Sequence, residues 1–206
     1  MPSPTSPLPS PGTLRRNQNA TSLIYDKNIY RNNKNVSLSS LQFLIMEIVS
    51  QYMKNTNNIL KIERKLNNLG YSIGLKYLNL ISTKNNFINN ITSNGKSNTS
   101  HRITKLIDFL HFISNDIWLS LFNKSSNGLE KSSDNEFQFM IIDNNPIISS
   151  FLSPTQEYNS LSIESFTAGI IEGILDTAYF QCEVSAHRVP IVNYPNKTIY
   201  LINLKQ

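Results

Sequence analysis

The stretch Ser165–His187, SFTAGIIEGILDTAYFQCEVSAH, decides the fold because a helical pattern runs directly into a strand pattern. Apolar residues in its first half recur at intervals of three and four, which is typical of a buried helix face. We place the N-cap of this helix at Ser162. On a second face, small residues at four-residue intervals would let another backbone approach closely. These small residues are Ser165, Gly169, Gly173 and Thr177.

The same stretch contains the chain's only cysteine, Cys182, together with His187. A cysteine nucleophile needs a base within hydrogen-bond reach. In the strand predicted over Cys182–Val189, side chains alternate between faces, so residues of opposite parity point apart. The histidines and the cysteine also lack the spacing of metal ligands. We therefore expect no catalytic residue, metal site or cofactor.

Four further helices are predicted before this stretch, each from apolar residues at helical spacing. The first begins after Ser37 as N-cap and has an apolar stripe from Leu38 through Leu41 to Tyr52. Gly70 is predicted to end the second helix as a C-terminal cap, and Gly74 to be a small contact point in the third. The other helices are predicted over Ile59–Leu69, Ser72–Ile81 and Arg102–Phe122.

The first helix has more large apolar side chains than one buried stripe requires, because Phe43, Met46 and Met53 lie on a neighbouring face. Such a broad apolar surface indicates a second burial partner. The alternative is a central helix that is buried entirely within its own domain.

Strand patterns follow the helices. Phe137–Ile142 is predicted to be a strand, Asp143–Pro146 a turn and Ile147–Leu152 a short return strand. Cys182–Val189 and Thr198–Leu204 are predicted to form a second hairpin. This order predicts an α+β fold in which a layer of about five helices packs on a small antiparallel sheet of about four strands.

The chain of 206 residues is long enough for one domain, predicted over residues 36–206. Residues 1–35 are rich in Pro, Ser and Asn and are predicted to be a disordered tail, with a short apolar docking arm near residues 23–29. Residues 83–100 are predicted to be an exposed insertion. The insertion contains Gly95-Lys96-Ser97 but lacks the first glycine of a phosphate-binding loop.

The net charge is +5, but the basic residues are mostly dispersed along the chain. The sequence therefore predicts no nucleic-acid partner. The N-terminus lacks the apolar segment of a signal peptide, and no apolar run reaches the roughly 20 residues of a membrane-spanning helix. We therefore expect a cytosolic protein whose contact with membranes, if it has any, is peripheral.

Several segments in register resemble the Bet-three-like small subunits of the transport protein particle, TRAPP, and most closely its 31-kilodalton-type branch. They are Ser37–Leu41, Leu69–Gly74, Asp116–Phe122, Asp143–Pro146 and Ser165–Glu172. Ile24–Asn28 is also similar to an arm that fungal members carry before the domain.

The resemblance implies a subunit without catalytic machinery or cofactor, which pairs with a Bet-three-type subunit through a helical surface. It also implies other small TRAPP subunits, including a sedlin-type subunit, as neighbours, and an indirect connection to a Rab1-type GTPase. The complex would promote nucleotide exchange on that GTPase and tether vesicles from the endoplasmic reticulum at the cis-Golgi. The candidate interface residues are Phe43, Met46, Met53, Leu60, Ile24 and Tyr25.

Some family members carry an acylated cysteine shortly after the segment that resembles Leu69–Gly74. This chain has no cysteine between Gly70 and Ser100, so acylation is not expected. The alternative function is a stand-alone sensor domain of related fold that binds a small ligand in an apolar cavity.

Overall fold

Helical and strand segments follow one another in the order that the sequence predicts. The computed structural model of the protein describes residues 37–56, 58–92, 103–133, 135–150 and 160–205, apart from the side chains of residues 85–92. The helices are α1 (Leu38–Asn55), α2 (Ile59–Thr92), α3 (Leu106–Phe112), α4 (Trp118–Phe122) and α5 (Ser165–Thr177). The strands are β1 (Gly128–Lys131), β2 (Gln138–Asp143), β3 (Cys182–Arg188) and β4 (Thr198–Leu204).

Helix α1 begins where the sequence predicts, because the Ser37 hydroxyl accepts a hydrogen bond from the Ser40 N–H at 3.3 Å. Its buried stripe differs from the prediction. Leu38 and Leu41 are exposed, and the buried residues are Gln42, Ile45 and Val49. The buried stripe therefore includes Gln42, a polar residue outside the predicted apolar stripe.

Helix α2 corrects the prediction of two separate helices, because it runs without a break through Gly70. Gly70 is buried inside this helix and is not a C-terminal cap. Ile73 and Leu75, two of the apolar residues at helical spacing that predicted the helix over Ser72–Ile81, are exposed. The helix continues to Thr92, into the segment predicted to be an insertion; residues 93–100, with Gly95-Lys96-Ser97, lie outside the described residues.

The predicted long helix over Arg102–Phe122 is helical from Leu106 onward but is not a uniform α-helix. A π-helical turn, Ile113–Ile117, lies between α3 and α4. Ile107, one of the apolar residues at helical spacing that predicted this helix, is exposed, whereas Phe109 and Trp118 are buried. A π-helical turn shifts the later side chains around the helix axis, so a strict helical repeat misplaces some of them.

The four strands form one antiparallel sheet in the order β1-β2-β4-β3. The hairpin of β3 and β4 is as predicted, with Cys182 opposite Leu204 and Arg188 opposite Thr198. The other hairpin differs from the prediction, because β2 pairs with β1, which the sequence analysis missed. Residues 147–150 form turns, so the predicted return strand over Ile147–Leu152 is wrong where the structure describes it.

Helix α5 links two clusters of buried side chains. The larger cluster lies between α5, the helical run Leu106–Phe122 and the sheet, and includes Trp118, Ile174 and Tyr200. The smaller cluster lies between α1 and the first half of α2, and includes Ile45 and Leu66. Burial of these side chains supplies most of the favourable free energy of folding.

Helices α2 and α5 cross at a contact between backbones. A Cβ atom at Gly70 would overlap the carbonyl oxygen of Phe166, and one at Gly173 would overlap the carbonyl oxygen of Tyr71. The small-residue face predicted on α5 is therefore confirmed as a close contact, and Gly74 is confirmed as a contact point. The predicted N-cap of α5 is wrong: Glu164 directly precedes the helix, and the Ser162 N–H donates to Glu63 at 2.7 Å.

Candidate protein interface

Large apolar side chains remain exposed on both sides of the buried stripe of α1. Phe43 and Met46, three residues apart, share one side of the helix and are 71% and 50% exposed. Leu41 and Leu44, also three residues apart, lie on the other side and are exposed as well. Such an apolar surface is typical of a helix that another protein covers.

Other candidate interface residues differ in their surroundings. Leu60, in the first turn of α2, is 72% exposed. Met53 is half-buried and packs against the smaller cluster, so it presents less free surface than Phe43 or Met46. Ile24 and Tyr25 lie outside the described residues.

Gln42 holds α1 against the turn at residues 147–150. Its buried amide donates hydrogen bonds to the carbonyl oxygen of Ile147 at 3.2 Å and to the Ser150 hydroxyl at 3.4 Å. These bonds satisfy a polar group that would otherwise be costly to bury. Sequence reasoning missed Gln42; the only available signal was its place between apolar residues on the inward face.

Cys182 and His187 are separated as the strand parity predicts. The Cys182 side chain is buried in the larger cluster, on the core side of the sheet. The pKa of its thiol is raised to about 12, chiefly by burial and also by the negative charges of Glu172 and Asp176. His187 is exposed, and its Nε2 lies 2.8 Å from the Ser185 hydroxyl. A thiol with this pKa is protonated at neutral pH and is a poor nucleophile.

A buried carboxyl group, Glu164, joins three parts of the fold. It accepts hydrogen bonds from the Ser149 N–H at 3.0 Å and from the hydroxyls of Thr167 and Tyr200, each at 2.9 Å. Burial raises the pKa of Glu164, while the hydrogen bonds from Ser149, Thr167 and Tyr200 partly counteract it. Through these bonds Glu164 connects the 147–150 turn, α5 and β4. Sequence reasoning did not single it out.

Asp143, at the end of β2, is the centre of a second polar cluster. Its carboxylate accepts hydrogen bonds from Lys124 Nζ at 2.6 Å, Trp118 Nε1 at 3.3 Å and the Asn145 N–H at 3.0 Å. The carboxylate is almost fully buried, and Lys124 is partly exposed. The bond from the Asn145 N–H explains the turn predicted over Asp143–Pro146, because an aspartate side chain that accepts from the backbone two residues later stabilises a turn.

No described group of three or more His, Cys, Asp or Glu side chains is arranged to hold a metal ion. Across the same parts of the chain, every helix is too short or too polar to cross a bilayer. The surface of α1 is therefore the feature that sequence and structure both single out.

Comparison with known proteins gives a consistent result. A family model described as "Transport protein particle (TRAPP) component" matches residues 41–205. The chain is 35% identical to "Trafficking protein particle complex subunit 5" of Dictyostelium discoideum, over 87% of this chain and 90% of that protein. It is 29% identical to "Trafficking protein particle complex subunit 31" of Saccharomyces cerevisiae, over 88% of this chain and 80% of that one.

The fold is also similar to a solved structure. A crystal structure of a trafficking protein particle complex subunit 3 from Naegleria fowleri, covalently bound to palmitic acid, aligns with a TM-score of 0.66. The alignment covers 82% of this chain and 95% of that chain at 15% sequence identity. At this identity, the likeness shows a shared fold.

Proposed function

This chain belongs to the transport protein particle (TRAPP) component family, and we propose that it serves as the subunit-five-type structural component of a TRAPP complex. In this role it holds neighbouring subunits in position and contributes no catalytic group. The names of its relatives as complex subunits support this role. The low reactivity expected of buried Cys182 is consistent with it.

The observation that carries the proposal is the exposure of Phe43 and Met46 on α1, beside the buried stripe of this helix. We propose that a Bet-three-type subunit covers this surface, with Leu60 at its edge and Met53 contributing less because it is half-buried. Aromatic and methionine side chains are enriched in the cores of protein interfaces. Ile24 and Tyr25 remain candidate contacts of the N-terminal arm.

The proposed activity belongs to the assembled complex. In it, this subunit would support nucleotide exchange on a Rab1-type GTPase and the tethering of vesicles from the endoplasmic reticulum at the cis-Golgi. A sedlin-type subunit would be a further neighbour, and membrane association would be peripheral.

The test is co-purification of the full chain with a Bet-three-type subunit. We expect the double substitution Phe43→Asp and Met46→Asp to weaken the pair by at least roughly 30-fold, because charges in the centre of an interface remain desolvated and unpaired. The matched control is Leu119→Asp, which makes the same apolar-to-acidic change at an exposed position of α4. Circular dichroism checks that each variant is folded.

Unchanged co-purification of the folded double variant would show that the α1 surface is not the interface. A stable, separate monomer that retains a small ligand through purification would instead support the sensor function. Size-exclusion chromatography with native mass spectrometry distinguishes these outcomes.

A further inference from the structure

The end of the β3–β4 hairpin, which we call the hairpin tip (Val189–Lys197), exposes apolar side chains to solvent. Val192 is completely exposed, and Ile191 and Tyr194 are more than two-fifths exposed. The proposed pairing through Phe43 and Met46 gives these side chains no role. Their exposure therefore needs a separate explanation.

The backbone of the hairpin tip is satisfied in part by its own hydrogen bonds. The Ile191 and Tyr194 N–H groups donate to each other's carbonyl oxygens at 3.1 and 2.9 Å, and the Val189 N–H donates to Lys197 at 2.8 Å. Pro190 and Pro195 have no N–H to satisfy. Because burial of an unpaired backbone group is costly, this internal pairing lowers the free-energy cost of moving the tip out of water.

The charged residues at the two ends of the hairpin tip are both basic. Arg188 and Lys197 lie at its two ends, and no residue after Glu183 is acidic. The Arg188 guanidinium donates to the carbonyl oxygen of Pro195 at 3.3 Å and to the Asn196 side chain at 2.7 Å. These bonds keep a positive charge at the base of the apolar tip, where it can attract an anionic surface.

We propose that the hairpin tip inserts into the interfacial layer of a membrane that contains anionic phospholipids. Val192 and Ile191 would enter the boundary of the acyl chains, Tyr194 would lie at headgroup level, and Arg188 and Lys197 would contact lipid phosphates. Apolar groups beside an aromatic ring and cations form the pattern of interfacial anchors.

A membrane fits the hairpin tip better than a protein partner does. By itself the tip is smaller than a stable protein interface, which uses roughly 20–30 residues on each side. A lipid surface requires only a few apolar side chains and cations, and gains strength when several subunits bind the same membrane. The inference concerns this hairpin alone and does not depend on pairing through α1.

Vesicle flotation tests the proposal, with the full chain in the complex with which it co-purifies. Vesicles of phosphatidylcholine alone are compared with vesicles of phosphatidylcholine and phosphatidylserine. We expect binding to the anionic vesicles to be on the order of ten-fold stronger, because two basic residues approach the surface, and to fall as salt is raised. Ile191→Asp with Val192→Asp should reduce this binding at least about ten-fold. Leu119→Asp, exposed on α4, should leave it unchanged.

A tryptophan at the tip reports insertion directly. The one native tryptophan of this chain, Trp118, is buried, so the vesicle-dependent change in emission of the Val192→Trp complex, measured against the same complex without the substitution, comes from position 192. We expect a blue shift with anionic vesicles. An unshifted spectrum, or flotation unaffected by the double aspartate substitution, would overturn the proposal. Loss of a protein subunit from the aspartate variant with unchanged vesicle binding would also overturn it, in favour of a protein contact.

Discussion

Gly169 of α5 lies directly against the backbone of Asn67 in α2. A Cβ atom at position 169 would overlap the Asn67 carbonyl oxygen and lie 2.9 Å from its Cα atom. The close approach of these two helices therefore depends on the absence of a Cβ atom at position 169, as it does at Gly70, Gly74 and Gly173. Backbone atoms in the middle of helices cannot move aside as the end of a flexible side chain can.

We expect Gly169→Ala to lower the free energy of unfolding by about 3 kcal/mol or more, because the added methyl group forces α2 and α5 apart. Urea unfolding followed by circular dichroism measures the change. The control is Gly128→Ala in β1, where the new Cβ would meet only the Ile142 side chain at 3.8 Å. A Gly169→Ala variant as stable as this control would contradict the close contact.

Asp143→Ala should destabilise the protein by about 3 kcal/mol, because Trp118 Nε1 loses its acceptor in the core and Lys124 loses its ion pair. Thermal unfolding monitored by tryptophan fluorescence reports both the stability and the surroundings of Trp118. Asp116→Ala, an exposed aspartate in the π-helical turn, is the matched control and should change stability little. Equal stability of the two variants would show that the Asp143 cluster contributes no net stabilisation.

Cys182 should react with iodoacetamide at pH 8 at least on the order of 100 times more slowly in the folded protein than in guanidinium chloride. The thiol is buried and its pKa is about 12, so almost none of it is thiolate. Mass spectrometry of the alkylated chain follows the reaction. Fast alkylation under native conditions would contradict the buried position. Cys182→Ala and His187→Ala should both retain partner binding.

Glu164 should make the protein less stable as pH rises. Its pKa in the folded state lies above the ordinary value of 4.5, so the folded state binds more protons than the unfolded state between these two values. Its stabilising contribution is complete below pH 4.5 and is lost as pH rises through the raised pKa. Glu164→Gln keeps the size of the side chain but cannot ionise. The urea midpoint of the wild type relative to this variant should therefore fall from pH 4.5 upward, and a constant difference would argue against the raised pKa.

Local patterns predicted the elements whose signals are strong within a few residues. The start of α1 after Ser37, the strands β3 and β4 and the opposite faces of Cys182 and His187 all follow from capping, alternation and parity. Phe43 and Met46 were predicted to lie outside the buried stripe of α1, and they are exposed.

Features that depend on distant partners were mispredicted or missed. Gly70 has the local properties of a helix terminator, yet its position inside α2 depends on α5, which lies about a hundred residues further along the chain. Strand β1 is short and carries charges, so only its pairing with β2 makes it recognisable. Glu164 is an ordinary surface residue by type, and three hydrogen-bond donors from separate segments make it a buried one.

By itself, the sequence determined the type of most elements, the small-residue face of α5, the family and the apolar surplus on α1, because these depend on residue spacing within single segments. Only the tertiary structure decided that α2 is one helix, that Gln42 and Glu164 are buried and that the hairpin tip is exposed. The physical reason is that burial and close approach are properties of pairs of segments. The pattern of a single segment shows only one of the two surfaces that meet, so it cannot predict either property.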